Sequence, residues 1–215
     1  MKFCVRLEVL ILAKILLLNS GLKHTQTFMK PFLSRLEVYL DDRCDCLDVR
    51  YVSTFDERTF FQYDQVIFLF FIALDSIPSS TLEIFERLES QPKGPTEIYA
   101  LIACDEYEPE KCDISEKILQ NWCQREQLHY KGSLKIGSAL FIMKTISRFV
   151  VSNEMKRLSD AIIHHQDFYS KTTMLTDRIF MKKANQYWNK EVKKMNKLKR
   201  KRQKRKCALV FFMNE

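Results

Sequence analysis

Asp64–Pro78, DQVIFLFFIALDSIP, is the stretch from which the rest of the chain can be read. Val66 to Leu74 is an unbroken apolar run in which Phe68, Phe70 and Phe71 sit among β-branched neighbours, and it closes in an Asp-Ser-x-Pro turn. Apolar on both faces and this short, the run reads as a central strand covered by helices on either side. It falls far short of the length that spans a bilayer. The next residues, SSTLEIFERLES, set Leu82, Ile84, Phe85 and Leu88 on one face and Glu83, Glu86, Arg87 and Glu89 toward water, the pattern of an amphipathic helix. Strand, turn and helix in this order form the repeating unit of an open parallel α/β sheet, whose ligands lie at the carboxyl ends of the strands. Asp75 and Ser76 are therefore expected at the rim of any site.

Working outward, KILLLNS (14–20) reads as the first strand, and a helix is expected over about 28–40, with Phe32, Leu33, Leu36, Val38 and Leu40 as its apolar contacts. Between them lies Gly21-Leu-Lys-His-Thr-Gln-Thr27. Hydroxyls and free N–H groups at a helix N-terminus can converge on a phosphate; equally, Thr25 or Thr27 can simply cap the helix. Further strands are expected at 46–52, at EIYALIAC (97–104) and within 128–142, and further helices over 114–126 and about 144–165. The paired His164 and His165 read as a solvated helix end. Five strand signals alternating with helices imply a three-layer α/β sandwich with right-handed crossovers.

Composition limits the chemistry. Four glycines in 215 residues argue against several glycine-rich phosphate loops. Seven scattered cysteines without a C-x-x-C pair point to reduced, buried thiols in a cytoplasmic protein rather than to zinc or a disulfide framework. The acidic loop Asp105–Glu110 reads as solvated, and no metal site is expected. Lys2 and Arg6 precede an apolar run, but Glu8 and Lys14 interrupt it and no small-residue cleavage site follows. Residues 1–13 are thus read as an added strand or helix, not as a secretion signal. Charge is uneven: residues 182–215 hold thirteen Lys/Arg against Glu191 and Glu215, while the remainder is mildly acidic. The expected divisions are an extension over 1–13, a domain over 14–190 and a basic tail over 191–215. For Lys193–Lys206, three readings stay open: a solvated tail, an anionic membrane surface with 207–213 dipping in, or nucleic acid.

Four segments, taken in order, resemble the flavodoxin-like family, in particular bacterial NAD(P)H-dependent FMN oxidoreductases. LLLNSGLKHTQT resembles the FMN phosphate loop, and LDSIPSSTLEIFERLE a flavin-adjacent loop and helix. IYALIACDEYEPEKCDISEKILQNWCQREQL resembles the next flavin loop, and IFMKKANQYWNKEVKKMNKLKRK the terminal helix. The resemblance implies a five-stranded parallel sheet in the order 2-1-3-4-5, with FMN as cofactor and NAD(P)H as transient reductant. Ser20, Lys23, Thr25 and Thr27 would hold the phosphate. Leu74, Asp75, Ser76, Cys104 and Tyr107 would border the isoalloxazine. No catalytic acid or base from the protein is implied, and proteins of this type pair as homodimers. The chain departs from the family pattern at Phe71-Ile72-Ala73, at Ala103-Cys104-Asp105-Glu106 and at Gly137-Ser138-Ala139, and the departures imply weakened flavin binding. A member that keeps the fold as an interaction scaffold without FMN is the alternative.

Overall fold

A computed structural model describes residues 13–73, 76–91 and 93–212, with side chains described through residue 200. The chain divides into two units between Met174 and Leu175. The readings made for Leu74, Asp75 and the first twelve residues lie outside the described residues.

The first unit is a parallel sheet covered on both faces. Its strands are β1 (Lys14–Asn19), β2 (Cys46–Tyr51), β3 (Gln65–Ile72), β4 (Glu97–Cys104), β5 (His129–Ile136) and β6 (Phe168–Thr172), in the order β2-β1-β3-β4-β5-β6. The helices are α1 (Gln26–Leu40), α2 (Ser79–Glu89), α3 (Asp113–Arg125) and α4 (Arg148–Ile163). All eight residues of β3 are buried, as the apolar run requires of a strand with neighbours on both edges and helices on both faces.

Side-chain alternation assigns the helices to faces. Val66, Phe68, Phe70 and Ile72 of β3 and Ile98, Ala100, Ile102 and Cys104 of β4 pack with Ile84, Phe85 and Leu88 of α2 and Leu119, Trp122 and Cys123 of α3. Within that layer Phe85 and Trp122 stack with centroids 4.2 Å apart, and Phe68 meets each ring edge-on. The opposite face carries α1 and α4: Phe28 of α1 meets Phe71, and the Tyr99 hydroxyl donates to the Gln166 carbonyl just past α4. Val38, expected to point inward, is 75% exposed on the outer side of α1.

Two features of the sheet differ from expectation. A sixth strand, β6, extends it beyond β5 in parallel register. The connection that reaches β6 also has the unexpected hand. β3–α2–β4 and β4–α3–β5 step along the sheet over one face, whereas β5–α4–β6 steps in the same direction over the other. Ser170 of β6 donates to Glu154 of α4, and the Arg157 guanidinium of α4 lies over the Phe168 ring, which fixes α4 on that face. This crossover is therefore left-handed, against a strong general preference. The cause is the placement of α4 beside α1, where Val151, Met155, Leu158 and Ile162 are buried.

His165 follows α4 and stays about half exposed, as a solvated helix end should, but its ring is also tied to the sheet. At the amino edge of the sheet its Nδ1 lies 2.8 Å from Glu97 Oε2, which also accepts from Gln65 Nε2 at 3.1 Å, with Lys131 Nζ 3.6 Å from Oε1. Burial raises the Glu97 pKa, but the Gln65 and His165 hydrogen bonds and the His165 and Lys131 charges outweigh it, so the net shift is downward. An acid that is stronger folded than unfolded adds stability above its unfolded value, about 4.3, and that part is lost as pH falls through the folded value. Glu97→Gln should therefore flatten the acid limb of a stability-versus-pH curve. Equal slopes for the two proteins below about pH 4.3 would contradict it.

The second unit holds α5 (Asp177–Phe212), a single helix that continues through the basic segment expected to be a tail.

Candidate functional site at the carboxyl edge of the sheet

β1, β3 and β4 are adjacent and parallel, so the segments following Asn19, Ile72 and Cys104 emerge side by side at one edge. The first two are tied together. The Ser20 carbonyl accepts from Ser80 Oγ at 2.6 Å and from Thr81 Oγ1 at 3.0 Å, and the Ser20 hydroxyl accepts from Thr81 Oγ1 at 2.9 Å. The β1–α1 loop is thereby fastened to the first turn of α2.

The β1–α1 loop winds tightly into α1. Thr25 N–H and Gln26 N–H both donate to the Leu22 carbonyl, and Gln26 Nε2 donates to the Gly21 carbonyl at 3.0 Å. Thr25 stands at the N-cap position but makes no side-chain cap; its buried hydroxyl donates to Leu22 at 2.9 Å. A Cβ on Gly21 would lie 3.1 Å from the Thr25 hydroxyl, a tight contact that a small shift of this side chain would have to relieve. Thr27 Oγ1 contacts the His24 carbonyl at 3.5 Å, and Lys23 and Thr27 are exposed.

One residue of this edge was not singled out from the sequence. Asn19, the last residue of β1, is fully buried with neither amide atom hydrogen-bonded, and its Oδ1 faces the space above Gly21. A buried amide without hydrogen-bond partners costs about 1–3 kcal/mol. Its only trace in the sequence is a polar residue ending an otherwise apolar strand.

The β4–α3 loop leans the other way. Ala139 N–H donates to the Cys104 carbonyl at 2.8 Å and Ser138 N–H to the Glu106 carbonyl at 2.6 Å. Thr173 Oγ1 donates to the Tyr107 carbonyl, and the Tyr107 hydroxyl donates to the Met174 carbonyl at 3.4 Å. Tyr107 is thus held over the β5 and β6 ends. Its carbonyl packs so closely on Gly137 that a Cβ there would sit 2.4 Å away. Cys104 is buried, with its thiol near the Glu106 and Glu108 carbonyls. Glu106 turns outward and meets Lys111 at 3.5 Å, and Glu110 pairs with Lys171, so neither acid is buried unpaired.

Ser76 is exposed and forms an antiparallel bridge with Ala73, closing the turn over the undescribed pair Leu74 and Asp75. The structure therefore joins Ser20 to the α2 start, turns Thr25 back onto its own loop, leaves Lys23, Thr27 and Ser76 at the surface, and sets Cys104 and Tyr107 against the β5–β6 side. Among the described residues no group of three His, Cys, Asp or Glu is placed to hold a metal. Of the five described cysteines, all free, Cys104, Cys112 and Cys123 are buried as expected, but Cys46 is exposed and Cys44 half-buried. No described helix is long and apolar enough to cross a membrane.

No family model and no curated protein matches the sequence. Solved structures match the fold. Flavodoxin 2 from Bacillus cereus superposes with a TM-score of 0.58 at 14% identity, covering 71% of this chain and 99% of its own. A Fusobacterium nucleatum flavodoxin bound to flavin mononucleotide gives 0.54 at 8% identity, covering 72% and 99%. An NADPH-quinone reductase from P. pentosaceus gives 0.51 at 10% identity, covering 70% and 97%. The chain has the flavodoxin-like α/β fold, with a sixth strand added at the β5 edge.

Proposed function

We propose that the carboxyl edge of the sheet binds flavin mononucleotide and that the protein is an oxidoreductase of the cytoplasm, reduced by NAD(P)H. The observation that carries this reading is Asn19: a buried, unpartnered amide between the β1–α1 loop and the α1 N-terminus, where the helix dipole favours an anion.

The phosphate end fits the residues present. Lys23 is exposed on the loop and supplies positive charge, while Ser20, fixed by Ser80 and Thr81, sets the loop against α2. Thr25 holds the loop closed by its bond to Leu22 and would donate to a phosphate only on giving that bond up. The ring end is narrower. Tyr107 and Cys104 border it only if the 105–108 segment leaves Ser138 and Thr173, and this segment sets how much of the ring water can reach. When bound, the flavin supplies the hydride and electron chemistry, and the protein supplies position and exclusion of water.

Titration of the purified chain with FMN tests the reading. Quenching of flavin fluorescence to a saturable endpoint is expected, followed by bleaching of the yellow complex with NAD(P)H. Asn19→Leu should weaken FMN binding at least tenfold and at the same time stabilise the flavin-free chain by about 1 kcal/mol, because an unsatisfied amide is removed. Unchanged FMN affinity in the variant would remove Asn19 from the site.

A second reading, an interaction scaffold without flavin, is favoured by one observation: the Thr25 hydroxyl already donates within the fold, to the Leu22 carbonyl. It requires a protein that stays colourless in excess FMN.

A further inference from the structure

α5 separates its charge from its apolar surface around the helix axis. At 3.6 residues per turn, Phe180, Met181, Ala184, Tyr187, Trp188, Val192, Met195 and Leu198 fall within an arc of roughly 140°. Lys182, Lys183, Lys190, Lys193, Lys194, Lys197 and Arg200 fall on the opposite arc. From Asp177 to Arg200, Asp177, Glu191 and Lys199 interrupt the apolar side. Met181, Trp188, Val192, Met195 and Leu198 are each about half exposed to water. From Asp177 to Arg200 the helix carries nine basic residues against Asp177 and Glu191.

We propose that α5 binds the surface of an anionic bilayer, lying in the plane of the interface with Trp188, Val192 and Met195 in the headgroup–acyl boundary. Both arcs are matched at once by this partner: the apolar arc leaves water, and the lysines reach lipid headgroups on either side. Nucleic acid would match the basic arc but leave a tryptophan, a valine and two methionines in water. A second copy of the helix would cover the apolar arc but leave the basic arc, on the far side, without a partner of opposite charge. The absence of a membrane-crossing helix among the described residues agrees with a helix that lies on the surface.

The full chain should sediment with vesicles of equimolar phosphatidylcholine and phosphatidylserine and stay in solution with phosphatidylcholine alone. Molar salt, which shrinks the screening length to about 3 Å, should release it. On binding, tryptophan emission should shift to the blue, and Trp188→Phe should abolish that shift, since Trp122 is buried in the core throughout. The pair Lys193→Glu and Lys197→Glu should weaken vesicle binding at least about tenfold. Both lysines and Trp188 are exposed, so loss of folding would not account for these effects. Equal binding to the two vesicle types would overturn the proposal. So would tighter binding to duplex DNA than to vesicles at the same salt, with Trp188 emission unmoved.

Discussion

Gly132→Ala should cost the fold at least about 3 kcal/mol and detach β6 from the sheet. Gly132 has a φ of +128°, and a Cβ built on it would lie 1.9 Å from the Phe168 carbonyl oxygen and 2.7 Å from its carbon. Both atoms are backbone, so no side-chain rotation relieves the clash. The position is forced by the sheet. The β4–β5 register slips between Ile98 and Tyr99, and Gly132 is the residue of β5 that pairs with both Tyr99 and Phe168. Alanine must therefore adopt an unfavourable φ and also push away the strand beside it. Against a typical total of about 5–15 kcal/mol this is a large fraction. Urea denaturation should show the midpoint falling, and hydrogen exchange should accelerate across 168–172. Gly94→Ala is the control: the contact there is 3.1 Å from the Phe61 carbonyl, and its φ lies outside the left-handed region. A loss at Gly132 no larger than at Gly94 would mean that the β5–β6 edge is not built as described.

The parts of this fold that could be read from the sequence are those whose burial is two-sided or strictly periodic. β3 announces itself because every one of its residues is buried. α3 is legible because Leu119, Trp122 and Cys123 recur at helical spacing. β6 is hidden for the opposite reason: FYSKT is an edge strand with Tyr169 exposed and Lys171 paired to Glu110, and its pattern looks like a polar loop. The hand of the β5–α4–β6 connection has no local signal. Val151, Met155, Leu158 and Ile162 declare that α4 has an apolar face but not which side of the sheet receives it.

The same division runs through the candidate site. Ser20 and Thr25 were legible as hydroxyls at a strand-to-helix junction, but Ser20 accepts from Thr81 of α2, some sixty residues on, a partner no local pattern shows. The FMN reading rests on Asn19, whose burial without a hydrogen-bond partner appears only in the folded chain. The partner of His165 could not be read from the sequence because Glu97 lies at the start of a strand 68 residues earlier. In α5 the basic run was read first as a solvated tail, yet Lys and Arg are good helix formers and the apolar arc continues among them as far as Leu198.

Removing one carboxylate should be almost as damaging as altering Gly132. Glu116, in the first turn of α3, is 7% exposed. It accepts from Ser133 Oγ at 2.5 Å, Tyr130 OH at 3.1 Å and Lys135 Nζ at 2.8 Å, and Lys135 reaches Asp113 at 2.6 Å. Glu116→Ala would leave Ser133 and Tyr130 without these acceptors and strip Lys135 of its more buried partner, an expected loss of about 3–5 kcal/mol. Glu116→Gln keeps the shape and an acceptor oxygen and should cost about half as much. The pH dependence separates charge from packing. Burial alone would lower the Lys135 pKa, but hydrogen bonds to Asp113 and Glu116 and their charges outweigh it, so the net shift is upward. Tyr130 is also shifted up, by burial first and then by the Glu116 charge. Groups that hold their protons more tightly when folded give stability that is full below their unfolded values, near 10, and lost above them. The parent chain should thus weaken steeply in alkali, and Glu116→Gln should weaken less steeply, since it relaxes both shifts. Parallel alkaline limbs in the two proteins would show that Glu116 acts through packing and not through its charge.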